Sequence, residues 1–104
     1  MKIDHIGEVI AERKLLLSKG GCVDRTVMVK LGMPRQFPDA NGYYTPFQVT
    51  GVGSEKVRYA GGVDAIQAIQ LAIQMVGAYL SALTNEGSDL SWEAGDKGDL
   101  GFPS

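Results

Sequence analysis

The sequence predicts an α+β domain: an antiparallel β-meander of four strands covered by one long C-terminal helix, followed by a short fifth strand and a packed tail. Three observations predict it. Residues 22–31 alternate, with Val23, Val27, Val29 and Leu31 on one face and Asp24, Thr26, Met28 and Lys30 on the other, the period of two that marks a half-buried strand. Residues 64–84 contain no proline and no charge after Asp64, and their apolar positions recur at helical spacing. Short glycine- and proline-rich connections separate the remaining apolar runs, which makes successive strands antiparallel neighbours.

The first strand is expected over residues 6–17, where Val9, Ala11, Leu15 and Leu17 form the more apolar side and Arg13 interrupts it. Gly20-Gly21 supplies the backbone freedom of a tight hairpin into residues 22–31. Residues 32–42, with Pro34, Pro38, Asp39, Asn41 and Gly42, are a connection built from turn formers. A third strand over residues 43–52 places Tyr43, Thr45, Phe47 and Val49 on one side; Pro46 requires an edge position or a bulge, because it has no N–H to donate. Residues 51–54 turn the chain, and residues 55–60 return as a fourth strand with Val57 and Tyr59 inward.

Asp64 is the expected N-cap of the helix, with Gln67 three residues on bonding back to the cap's own N–H in a capping box. Ile66, Ile69, Ile73, Val76, Leu80 and Leu83 fall on the side turned to the strands, and Gln67, Gln70, Gln74 and Ser81 form a polar strip. Leu71, Met75 and Ala82 lie more than about ninety degrees from Val76, beyond the reach of a single sheet. Residues 89–93 make the fifth strand, and Trp92, Leu100 and Phe102 are apolar enough to anchor the tail.

The 104 residues and their 44% hydrophobic content exclude a disordered chain and fit a single domain over residues 1–104. The formal net charge of −2 and the absence of a basic run beyond Arg13-Lys14 argue against nucleic acid as a partner. Cys22 is the single cysteine, which excludes an internal disulfide and fits a reducing, cytoplasmic setting. Lys2, Asp4, Glu8, Glu12, Arg13 and Lys14 leave no apolar core for a signal peptide near the start. The uncharged run at residues 65–83 is long enough to span a membrane, but its glutamines and small residues point to a buried helix and no membrane partner.

Residues that could carry chemistry do not assemble into a recognisable set. Residues 51–56 (GVGSEK) lie between strands, not before a helix, so they make a turn and not a phosphate loop. Gly61-Gly62 does precede the helix, where Asp64 already supplies the negative charge. Asp89, Glu93, Asp96 and Asp99 lack the alternating oxygen donors of a calcium loop. His5 is the sole histidine, so it and Cys22 give neither a metal set nor a held nucleophile–base pair. No catalytic residue, cofactor or metal ligand is assigned.

Two functional readings remain. In the first, the protein is a non-catalytic interaction module that binds another protein chain, including a second copy of itself as a homodimer, through Gln67, Gln70, Leu71, Gln74 and Met75. In the second, a small ligand or anion enters a pocket between helix and sheet lined by Arg13, Arg25, Arg58, Tyr59 and Trp92, with Tyr79 beside them, as binder or minor enzyme; its arginines pair with cross-strand carboxylates otherwise. Residues 10–13 (IAER), residues 62–68 (GVDAIQA) and residues 98–103 (GDLGFP) together resemble a family of small bacterial proteins classed as a domain of unknown function. The resemblance implies a bacterial, cytoplasmic, single-domain protein and assigns no chemistry to any residue.

Overall fold

The computed structural model describes residues 3, 5–19, 22–38, 40–51, 55–84 and 89–92. In chain order the elements are β1 (Val9–Lys19), β2 (Cys22–Gly32), β3 (Arg35–Gln36), β4 (Tyr43–Thr50), β5 (Arg58–Gly62), α1 (Ala65–Thr84) and β6 (Asp89–Trp92). This is the α+β arrangement that the alternation and the long helix predict, with one antiparallel sheet and one covering helix. β1, β2, β4 and β5 are the four meander strands and β6 is the fifth. The expected tail, residues 94–104, lies outside the described residues, as does residue 93.

Pairing fixes which side chains meet the helix. Leu15 faces Val27, Val29 faces Val49, Leu31 faces Phe47 and Thr45 faces Ala60 across the ladders. These residues are all buried, and Ala72, Val76 and Leu80 of α1 close over them. β1 and β2 are joined within the reach of a hairpin, Lys19 opposite Cys22. β6 does not extend the meander at β5 but crosses to the far edge, where Leu15, Leu17 and Ser18 pair with Trp92, Leu90 and Asp89.

Several local expectations are corrected. β1 starts at Val9, not at residue 6. Ile6 instead lies over Gly32, where an added Cβ would stand 2.3 Å from the Ile6 carbonyl oxygen. The connection at residues 32–42 contains β3, whose Arg35 and Gln36 pair with Tyr44 and Tyr43. β4 is not bulged at Pro46, and as expected has a local edge there. β3 pairs with residues 43–44 and β2 with residues 47–50, so Pro46 falls at the break between the two neighbours, where a missing N–H costs no ladder bond.

The fourth strand is shifted as well. It runs Arg58–Gly62, so the glycine pair read as a lead-in to the helix belongs to the strand. Thr45↔Ala60 then sets the parity: Ala60 points into the core and Tyr59, opposite Pro46, points to the other face.

The buried stripe of the helix keeps Val76 and Leu80 of the expected row, with Ile73 and Leu83 packed beside them, but at its start it is turned toward Ala68 and Ala72. Ala68, Ala72, Val76 and Leu80 are buried, whereas Ile66 is 68% exposed. A Cβ on Gly62 would lie 2.7 Å from the Ala68 nitrogen, so the helix starts in close approach to β5. Such an approach selects alanines at the contact and turns the bulkier isoleucines to the flank.

Candidate functional site

Capping sets where α1 begins. The Gln67 backbone N–H donates to Asp64 Oδ1 at 2.8 Å, as an N-cap requires. The Gln67 side chain reaches one residue further back than the expected capping box, accepting from the Val63 N–H at 2.8 Å. The helix that follows has no acidic residue in its first turn and no basic residue in its last, and none in between. Over Ala65–Leu83 it is long and apolar enough to cross a membrane by length and composition, while its Ala68–Leu80 stripe packs on the sheet.

Three surfaces run along this helix. The stripe from Ala68 to Leu80 is buried, with Ile69 and Ile73 half-buried beside it. Gln67, Gln70, Gln74 and Ser81 are exposed along the outer side. Leu71 and Met75, 36% and 43% exposed, lie on the flank opposite Ile73, with Ala78 and Ala82 exposed beyond them. Tyr79, one turn after Met75, is half-buried, and the Arg58 guanidinium of β5 stands 5.4 Å from its ring centroid, within cation–π range.

The register does not bring the described residues of the ligand reading together. Register places Arg13 opposite Val29, Arg25 opposite Leu17 and Arg58 opposite Phe47, so all three stand on the helix-facing side of the sheet. Arg58 and Arg13 are three strand spacings apart, roughly 14 Å. Arg25 is six residues along from the Arg58 row, roughly 20 Å. Arg25 donates to the Gly51 carbonyl at 3.3 Å, and Arg58 lies on Tyr79. Trp92 is opposite Leu15 in register, and its side chain lies outside the described residues. Tyr59 is on the other face altogether, so a helix–sheet pocket lined by Tyr59 is not formed.

Tyr59 belongs instead to an aromatic group on the open face. Phe37, Tyr44 and Tyr59 are mutually in contact, with ring centroids 5.3, 6.1 and 6.2 Å apart. Gly61 lies beneath, where an added Cβ would be 3.3 Å from Phe37 Cζ. The sequence reading missed this group because residues 32–42 carry no period and the fourth strand was set in the opposite parity. The signal that could have found it was the glycine pair, which marks a strand under a ring as well as a turn.

Among the described residues no group of three or more His, Cys, Asp or Glu side chains could hold a metal ion. His5 is exposed, Cys22 opens β2, and residues 52–54 and 93–104 of the two loop readings lie outside the described residues. No curated protein and no solved structure matches the chain. One family does match, over residues 11–104, and it is a domain of unknown function, as the resemblance implies. The chain therefore belongs to the family described as a domain of unknown function, DUF6968.

Proposed function

We propose that the protein is a non-catalytic interaction module that binds a protein surface through the Leu71–Met75 flank of α1, and that its first partner is a second copy of itself. The observation that carries this reading is a helix of 20 residues without a single charge that leaves two large apolar side chains and two alanines exposed on one flank. A two-fold interface brings a surface against its own copy. A charged flank would repel itself there, whereas a neutral one does not. Ala78 and Ala82 let the second backbone approach, and Gln67, Gln70 and Gln74 border the contact with groups that both donate and accept.

Light scattering tests the reading. Wild type is expected to have the mass of two chains at high micromolar concentration. Leu71→Glu and Met75→Glu, each at an exposed position, are expected to remain folded and to shift to one chain, because each would place a carboxylate in the desolvated centre of the contact. A wild-type mass of one chain under these conditions rules the homodimer out.

A further inference from the structure

Resting on the helix-flank reading, we infer that the dimer is completed by β5, which pairs antiparallel with β5 of the second copy about Ala60, so that one sheet runs through both chains. Area is the first argument. A helix of 20 residues is about 30 Å long and about 10 Å wide, so one flank offers roughly 300 Å2, against about 800 Å2 per partner in a stable interface. A further surface beside the flank is required.

β5 is that surface. Among the described residues it pairs only with β4, which leaves its outer edge of backbone donors and acceptors unmatched, and such an edge is a template for another strand. It lies on the same side of the molecule as Leu71 and Met75. α1 packs over β5 and β4, its Ile73 flank joins the core, and Tyr79, one turn beyond Met75, rests on Arg58 of β5. β5 and β6 run parallel, with β4, β2 and β1 between them. The right-handed crossover that such a connection takes turns the Leu71 flank outward over the β5 edge.

Register follows from Pro46. Pairs in an antiparallel ladder alternate between two-bond and no-bond types, and Pro46 has no N–H, so Pro46↔Tyr59 is the no-bond type. The N–H and C=O groups of Tyr59 and Gly61 therefore point away from β4. A two-fold axis at Ala60 sets Tyr59 against Gly61 of the second copy, and Gly61 against its Tyr59, with every outward group matched. On the open face this sets the exposed Tyr59 ring beside a glycine that the second copy's Phe37 covers, in reach of that ring. Arg58 meets Gly62 of the second copy, not another arginine, so like charges stay apart. One interface thus covers the helix flank on one face and the aromatic group on the other.

A dimer prepared from one isotope-labelled and one unlabelled chain, observed by filtered nuclear Overhauser spectroscopy, tests this. Contacts between the Tyr59 ring and the Gly61 α-protons of different chains are expected. The Tyr59 and Gly61 amides are also expected to exchange at least about tenfold more slowly in the dimer than on dilution. Tyr59→Glu, an exposed position, is expected to weaken the dimer while keeping the monomer's spectrum. A dimer whose interchain contacts lie only between helices, with fast-exchanging Tyr59 and Gly61 amides, overturns the strand pairing and leaves the helix reading standing. A single-chain mass overturns both.

Discussion

Thr45 carries the least comfortable atom in the core. Its side chain is fully buried on the face lined by Ala60, and its hydroxyl has no hydrogen-bond partner among the described residues. A buried hydroxyl without a partner costs more than the same volume of hydrocarbon. Thr45→Val keeps the shape and the branching suited to a strand, and is expected to raise stability by about 1 kcal/mol; a midpoint in urea unfolding that stays or falls would show that the hydroxyl is satisfied. Gly51 presents the opposite case. Its φ of 92° lies in the region that favours glycine, and an added Cβ would stand 2.1 Å from the Thr26 carbonyl oxygen. Because that obstacle is backbone, Gly51→Ala is expected to cost more than about 2 kcal/mol, the sum of a strained conformation and a displaced strand. A loss below half of that in the same unfolding experiment would mean that the turn relaxes.

At the scale of elements, the start of α1 depends on two side-chain bonds that share Gln67. Asp64→Ala removes the acceptor for the Gln67 N–H and is expected to cost about 1 kcal/mol. Gln67→Ala leaves that bond and frees only the Val63 N–H, which is exposed, so its cost should be a few tenths of that value. Thermal unfolding of both variants, with equal losses, would show that the reach back to Val63 matters as much as the cap. The helix was legible in the sequence because its cap, its length and its uncharged composition are local properties. Its rotation was legible at Ile73, Val76, Leu80 and Leu83, which do meet the core, but not in the first turn, where Ile66 reads as the better core residue until Gly62 brings the backbone close to Ala68. β4 and residues 25–31 of β2 were legible for the same local reason, an alternation that the pairing preserves, whereas a register shift between Val23 and Arg25 breaks it at the start of β2. The facing of β5 was not. Five residues with two glycines carry little period, and the parity of Tyr59 is decided by Thr45 and Pro46 on another strand. The candidate flank of Leu71 and Met75 could be read from helix geometry alone, whereas the aromatic group on the open face required β3, β4 and β5 to be assembled first.

Across the whole molecule, the chain begins its sheet in the middle and finishes it at both edges. β1 and β2 form the first hairpin, β4 and β5 extend it in one direction, and α1 carries the chain back over the sheet so that β6 joins β1 on the other side. The closing strand is short: it covers Leu15 to Ser18 of β1 and leaves residues 9–14 with β2 as their partner among the described residues. Residues 28–31, by contrast, are flanked by β1 and β4 along their whole length, and Val29 and Leu31 lie under the helix-facing core. Opening a doubly paired, buried segment requires most of the fold to separate, while a half-edge frays with less loss of contact. Amide exchange of the intact chain is therefore expected to be slowest at residues 28–31 and 47–49, and measurably faster at residues 9–14 than at residues 15–18 within the same strand. The shift of register between Val9 and Ala11 adds to this, since it leaves Ile10 out of the ladder. Equal protection along all of β1 would mean that another part of the chain, or a second chain, covers its first half. In the second case the interface lies at this edge and not at β5.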